Sequence, residues 1–345
     1  MEQNQKYEDV IKSEIDLKTL FFILWRRKLF IICSTCIVAA LASIFSLFIL
    51  SPIYNSKLNI VISMPTILTT RFGDYTLPIT TNQQYIELIT SNDVLTNTLK
   101  DMGYDPTEVT IEVLKSRISL GAINAPNVIQ NNFEVTVSAD NPKEAKQLAD
   151  TLFANYVEFL DAMTTERAVL YYYDTFSVQI KTLENTVKSN KELIKKNEEV
   201  LKNIPQTINM KDALAAADSQ IDITDFIVLE DIINPNYTKV EGDIILLKET
   251  INTDENTISD YELYLKELDI EKNVIAKYYE SGKEIALESS INDVIHNNIY
   301  LSSFTLEPTH KSSPSNVINI AIGAFLGVMI GVLVALIKEY WFTKK

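Results

Sequence analysis

Two uncharged apolar runs, residues 29–50 and 317–337, bracket almost everything else in this chain. At about 1.5 Å per helical residue each covers the ~30 Å hydrocarbon core of a bilayer, so each is expected to be a transmembrane helix. The first is not read as a cleaved signal sequence, because 28 residues precede it and Ile49-Leu50-Ser51-Pro52 offers no small-x-small cleavage site. Two crossings place both termini on one side. Trp25, Arg26, Arg27 and Lys28 abut the first run, and Lys338, Tyr340, Trp341, Lys344 and Lys345 follow the second, so the aromatic and basic anchors predict cytoplasmic tails. The expected division is then a tail at 1–28, a span at 29–50, an extracytoplasmic part at 51–316, a span at 317–337 and a tail at 338–345.

Charge divides along the same lines. The two ends are slightly basic, whereas residues 51–316 carry 22 basic against 40 acidic side chains. That balance disfavours nucleic acid and adhesion to anionic lipid. The only cysteines, Cys33 and Cys36, fall inside the first run, where they are expected to be small packing residues, and the extracytoplasmic part has none for disulfides.

Within the tail, residues 15–24 are apolar enough for a short interfacial helix capped by Asp16. Residues 54–63 alternate, with Tyr54, Ser56, Leu58, Ile60 and Ile62 on one face, which predicts a half-buried strand. Residues 64–80 hold Pro65, Gly73 and Pro78 and are expected to be a loop. Helices follow at 82–89 and 93–102, the second capped by Ser91 or Asn92 and stopped by Gly103, and Asp105-Pro106 is expected to open another. Strands at 118–123 and 132–138 are joined through Ala125-Pro126-Asn127, with Phe133, Val135 and Val137 facing a core. Together these form an α/β base domain at 51–141.

Asn141-Pro142-Lys143-Glu144 is a strong helix start, and no proline or glycine follows until Pro205. Such a length suits a coiled coil. Phe176, Ile180, Leu183, Val187, Asn190, Ile194, Asn197 and Leu201 step by fours and threes. So do Val240, Ile244, Leu247, Ile251, Asp254, Ile258, Tyr261, Leu265, Leu268, Lys272, Ile275 and Tyr279. The two seams can pack as an antiparallel hairpin or each against a neighbouring subunit, giving an extended helical arm at 142–298. Its tip, 203–239, holds an alanine-rich helical piece near 212–218. A last strand is expected from 299 to 306, and Pro308 with Ser312-Ser313-Pro314-Ser315 stiffens the approach to the second span across 299–316. The fold class is thus an α+β membrane protein with two spans, a base domain and a long antiparallel coiled-coil arm.

Chemistry is sparse. His296 and His310 are the only histidines, in different settings, and there is no P-loop, G-x-G-x-x-G, G-x-S-x-G or H-E-x-x-H. Carboxylate pairs such as Glu198-Glu199 are expected to be solvated faces. No catalytic, cofactor or metal residue is nominated, and the chain is not expected to be an enzyme. A sensor would need a cytoplasmic output module, and tails of 28 and 8 residues are too short for one. The most pointed motif is Gly323, Gly327 and Gly331, which lie along one helical ridge and permit close approach to the first span or to a neighbouring subunit.

The arrangement resembles the Wzz-type polysaccharide co-polymerases, the chain-length determinants of bacterial surface polysaccharides. The likeness is carried by residues 15–20 leading into Arg26-Arg27-Lys28, by Tyr54-Asn55-Ser56, by residues 138–145 with Leu148-Ala149-Asp150, and by Glu307-Pro308 to Pro314 before the glycine-spaced span. It implies a bacterial inner-membrane protein whose subunits form a homo-oligomer and set the length to which a membrane polymerase extends a nascent glycan. Two alternatives stay open. One is an adaptor that activates a separate cytoplasmic tyrosine kinase through the tail Lys338-Glu339-Tyr340-Trp341-Phe342; the other is a structural coiled-coil spacer of an export machine.

Overall fold

The computed structural model describes residues 17–122, 130–209, 231–291 and 294–342, with the side chains of residues 17–19 and 340–342 excluded. The Asp16 cap, the 125–127 loop, the helical piece near 212–218 and Lys344 with Lys345 lie outside the described residues.

Helix α1 (Leu17–Arg26) is followed after Arg27 by α2 (Lys28–Phe48). Strand β1 (Tyr54–Ile62) comes next, then β2 (Ile67–Thr70) and β3 (Gly73–Thr76). Three helices follow, α3 (Asn82–Glu87), α4 (Asn92–Met102) and α5 (Ile111–Ser116), and then β4 (Ile118–Leu120) and β5 (Asn132–Ala139). The long α6 (Pro142–Lys202) leads to β6 (Thr207–Asn209), β7 (Asp231–Ile233) and α7 (Pro235–Glu280). The chain closes with α8 (Val294–Asn298), β8 (Ile299–Leu301) and α9 (Asn316–Phe342).

These elements form two compact units. The first comprises residues 1–63, 81–156 and 299–345, and the second residues 64–80 and 157–298. Residues 64–80, expected in the base, therefore belong with the helical hairpin, and the first 15 residues of α6 belong with the sheet.

In the first unit β4-β5-β1-β8 form an antiparallel sheet. Register puts Ser56 opposite Val137, Leu58 opposite Val135 and Ile60 opposite Phe133, so one face of two strands is continuously apolar apart from Ser56. Leu58, Ile60, Val135 and Val137 are fully buried, as are Ile86, Ile89, Leu95 and Leu114 from the short helices and Leu148 and Leu152 from α6. Burial of each such side chain contributes about 1.5–3 kcal/mol. The Tyr156 hydroxyl donates to the Tyr85 carbonyl at 2.9 Å, satisfying a phenol that burial would otherwise strand.

Local chemistry explains where these elements start and stop. Asn141 Oδ1 accepts from the Glu144 amide while Glu144 Oε2 accepts from Asn141 Nδ2, a reciprocal cap that starts α6. Gly103 ends α4 in a left-handed conformation at φ 66°. Ser91 occupies the cap position of α4, yet its hydroxyl makes no cap bond.

Three expectations need correction. Asp105-Pro106 opens only a turn, because Asp105 Oδ1 accepts from the amide and hydroxyl of Thr107 and Thr110 caps the helix that does form at Ile111. The strand after 298 stops at Leu301, since only Ile299, Tyr300 and Leu301 find partners on β1, and Phe304 and Leu306 are exposed. The 64–80 loop is a hairpin: β2 pairs β3 through Thr70 and Gly73, with Gly73 at φ 115°. Its prolines lie outside the strands, and its short alternation of Leu68, Tyr75 and Leu77 is what becomes buried.

In the second unit α6 and α7 run antiparallel. One cluster joins Val187 and Ile194 to Ile244 and Ile251, flanked by Leu201, Val240, Leu247 and Ile258. The other gathers Phe72, Tyr75 and Leu77 of the 64–80 segment with Tyr172, Phe176, Leu268 and Ile275. At the far end of the helices β6 pairs β7, two strands where the sequence suggested none.

Candidate functional site

Helices α2 and α9 are each long and apolar enough to cross a membrane, and they pack against each other. The glycine ridge of α9 makes the contact. A Cβ on Gly323 would lie 2.4 Å from Ala42 Cβ, one on Gly327 2.7 Å from Thr35 Cα, and one on Gly331 3.1 Å from Ile31 Cα. Within the chain the ridge is thus occupied by the first apolar helix. Close backbone approach maximises dispersion where lipid tails would compete for any larger apolar surface.

Polar groups fasten this hairpin along its length. Arg27 Nη2 and Glu339 Oε2 form a half-buried ion pair at 2.9 Å at one end. In the middle the Ser34 hydroxyl donates to the Gly327 carbonyl at 3.2 Å. At the other end Ser46 is buried and donates to Asn316 Oδ1 at 3.1 Å while accepting from Asn319 Nδ2 at 2.9 Å; Lys311 Nζ donates to the same Asn316 oxygen at 2.9 Å. The sequence reading missed Ser34, Ser46, Asn316, Asn319 and Glu339. Their signal was present, since isolated polar residues in or beside an apolar span are costly unless they bond to another helix. Cys33 and Cys36 are exposed and free of disulfide.

Of the anchor residues, Trp25 is exposed and stacks on Phe21 with centroids 6.0 Å apart, and Lys28 Nζ lies 4.7 Å from the Trp25 ring centre. Arg26 and Trp25 line a shallow pocket with Phe22, Ile23 and Glu339. Tyr340 and Trp341 lie on the last turn of α9, and their side chains are outside the described residues. The outward surfaces of both helices remain apolar, with Leu29, Phe48, Val317 and Phe325 all largely exposed. An apolar surface of that extent is stable against lipid or protein and a liability in water.

The seam residues are placed as follows. Val187, Ile194, Ile244, Ile251 and Leu268 are buried; Ile180, Leu183, Leu247, Ile258 and Leu265 are half-buried. Beyond Leu268 the buried positions become Glu271, Ile275 and Tyr278, one residue away from the Lys272 and Tyr279 positions of the sequence pattern. The shift has a physical cause. Glu271 accepts from the Ser290 amide at 3.2 Å and from the Ser289 hydroxyl at 2.9 Å, and Tyr278 donates to Glu158 at 2.9 Å, so partners draw both inward. Lys272 lies instead over the Tyr173 ring at 4.0 Å.

Aromatic packing dominates this end of the hairpin. Phe176 stacks on Tyr261 at 5.0 Å, Phe72 meets Tyr264 edge-on at 5.5 Å, and the Tyr172 hydroxyl donates to the Gly73 carbonyl at 2.7 Å while accepting from Thr70. Thus β2 and β3 are pinned to α6 and α7.

Catalytic chemistry has little to build on. No group of three or more metal-ligating side chains occurs among the described residues. His296 on α8 and His310 before α9 are both exposed. The clearest titration shifts concern tyrosines. Burial pushes Tyr104, Tyr156 and Tyr278 upward, reinforced at Tyr104 by its hydrogen bond to Glu144 and at Tyr278 by that to Glu158. Those shifts keep phenols neutral as donors and suit structure rather than acid–base turnover.

Residues 13–102 match the family Wzz, chain length determinant protein. A solved full-length bacterial polysaccharide co-polymerase is 14% identical, with TM-score 0.40, over 96% of this chain and 99% of that one. The wild-type lipopolysaccharide O-antigen chain-length regulator WzzBSF of Shigella flexneri is 10% identical, with TM-score 0.30, over 75% of this chain and 100% of its own. A Wzz dodecamer fitted to a cryo-EM map gives 11% identity and TM-score 0.30 over 75% and 100%. No curated protein sequence matches the chain. Through its tail, first apolar helix, first strand and the helices up to Met102, this chain is similar to the Wzz family of chain length determinant proteins.

Proposed function

We propose that this chain is a polysaccharide co-polymerase: a non-catalytic, homo-oligomeric scaffold in the bacterial inner membrane that sets the chain length of a surface polysaccharide made by a separate membrane polymerase. The observation that carries this reading is the family match over residues 13–102. Two apolar helices near the ends, packed as one hairpin, support a two-pass topology. Basic residues at the outer flanks favour cytoplasmic tails and an extracytoplasmic 51–316. A scaffold needs surfaces rather than a reactive centre, and the largest titration shifts in this chain fall on tyrosines held in hydrogen bonds or in the core.

The test is the size distribution of surface polysaccharide with and without the gene for this chain. Loss of the modal length at unchanged total amount is expected. An unchanged distribution would overturn the proposal, and complete loss of surface polysaccharide would favour an export spacer. Truncation after Glu339 retains the Arg27 pair and removes the rest of the tail. It is expected to leave length intact; abolished phosphorylation of a partner kinase would favour the adaptor.

A further inference from the structure

One side of the α2–α9 hairpin is not closed by its own side chains. Val38, Leu41, Phe45 and Ile49 recur along one stripe of α2, at the spacing of three or four that keeps residues on one helix face. With Ile322 and Leu326 of α9 they line an open groove of about 580 Å³. All but Val38 are exposed. Gly323 also lines the groove and brings no side chain to fill it. The volume lies within the roughly 300–1,000 Å³ of small-molecule sites. From Val38 to Ile49 the groove runs about 16 Å along the helix, half of the ~30 Å hydrocarbon core, so it is one leaflet deep.

A polar cluster stands at the end of the groove where α9 begins. Asn319 lines the groove and donates to Ser46, and Ser46 and Lys311 both donate to Asn316 Oδ1. Lys311 is half-buried, and it is the one lysine or arginine in residues 299–316. Among the described residues no carboxylate pairs with it, and Glu307, the nearest acid in sequence, is exposed. An ammonium carries three donors and Asn316 takes one, which leaves two for an incoming acceptor. The Asn316 amide nitrogen likewise has no acceptor among the described residues. Basic residues at membrane boundaries favour the cytoplasmic side, so a cation on the opposite flank, in a part with 22 basic against 40 acidic side chains, stands against the background.

We infer that this groove and Lys311 form one site for an anionic phospholipid of the leaflet facing residues 51–316. One acyl chain lies along Leu41, Phe45 and Ile322, and the phosphate accepts from Lys311 and Asn316. The site rests on the two-pass reading above and names a lipid that such a hairpin holds. Both ends of the ligand are matched. An acyl chain fills the apolar groove with no polar group to desolvate. A phosphatidylcholine headgroup brings its own cation beside Lys311, whereas phosphatidylglycerol brings only negative charge. The acidic surface of residues 51–316 repels such headgroups elsewhere, which confines binding to this point.

The experiment reconstitutes the full chain in phosphatidylcholine nanodiscs containing a small fraction of phosphatidylglycerol with a photoactivatable diazirine on its acyl chain, or of the matching phosphatidylcholine. Adducts are mapped by mass spectrometry, and those on residues 38–50 and 319–326 are divided by those on residues 29–37 and 328–337. The ratio is expected to be about fivefold higher with phosphatidylglycerol, the effect of one basic residue beside an anionic headgroup. Lys311→Gln should remove that preference and Lys311→Arg keep it. Ile322→Trp, which fills the groove from an exposed position, should lower labelling of residues 38–50 by both lipids. Equal ratios for the two lipids, a preference that survives Lys311→Gln, or labelling unchanged by Ile322→Trp would overturn the site and leave the two-pass reading standing. Absence of adducts from both apolar helices would overturn that reading itself.

Discussion

The chain contains two antiparallel helical hairpins, and they solve the same packing problem with opposite residues. The α2–α9 hairpin holds its helices together with glycine, alanine and serine, whereas α6–α7 uses isoleucine, valine, leucine and a stack of aromatic rings. The difference follows from the surroundings each must exclude. In water, removing large apolar side chains from solvent is itself the driving force, so big knobs win. Against lipid tails an apolar knob gains nothing by leaving its surroundings, so close backbone contact and hydrogen bonds such as Ser34 to Gly327 decide the pairing.

The largest test of this contrast is at Phe176, the ring that touches Phe72, Tyr172, Tyr261 and Tyr264. Phe176→Ala is expected to destabilise residues 157–298 by about 3–5 kcal/mol, read as an earlier urea midpoint by circular dichroism. A change below ~1 kcal/mol would show that the aromatic cluster is not what holds that end.

Next is Gly327→Leu, whose Cβ meets Thr35 Cα at 2.7 Å, a backbone atom that cannot step aside. Separation of α2 from α9 is expected to cost about 1–3 kcal/mol. The readout is loss of a disulfide between Ser46→Cys and Asn319→Cys, whose native side chains meet at 2.9 Å, in an otherwise cysteine-free chain. Because the ridge is occupied within the chain, oligomer loss should appear only as a consequence of that separation. Retained pairing with lost oligomers would return the ridge to an inter-subunit role.

Glu271→Ala removes the acceptor for Ser289 and the Ser290 amide. A bond to a charged acceptor contributes about 1.5–3 kcal/mol, so proteolysis within 281–291 should accelerate while the distal α6–α7 seam stays protected. Equal cleavage of both variants would remove Glu271 from that role.

High pH separates the two units by their phenols. Tyr104, Tyr156 and Tyr278 have folded pKa values raised above the ordinary 10.0, so the neutral phenol's stabilisation is complete below pH 10 and is lost as pH rises beyond it. Base unfolding should therefore begin above that value. Tyr104→Phe, in the first unit, should flatten the pH dependence of that unit alone.

The smallest effect is expected at Ser46→Ala, which removes two hydrogen bonds from the apolar hairpin. Interhelical bonds of this kind average about 0.6 kcal/mol, detectable as faster exchange of the Asn319 side-chain amide.

Periodicity alone located both apolar helices, the strands Tyr54–Ile62 and Asn132–Ala139, and the 61-residue Pro142–Lys202 helix with its cap. Each of these rests on interactions within a few residues or on one solvent-facing side. The β2–β3 hairpin was missed because its strands have four residues each and are stabilised by Tyr172 and Phe176, about 100 positions later. The same long range explains β8, which extends only as far as β1 can pair it.

The chain's own order of residues determined that it has two uncharged helices, a half-buried strand pair and two heptad seams, because apolar spacing and caps act locally. Tertiary structure alone decided that the glycine ridge faces Ile31, Thr35 and Ala42, that Glu339 meets Arg27, and that Glu271 and Tyr278 replace Lys272 and Tyr279 inside the seam. A ridge specifies that something approaches closely but not what; only the fold brings the complementary surface, 292 residues away for Gly327 and Thr35, to within contact.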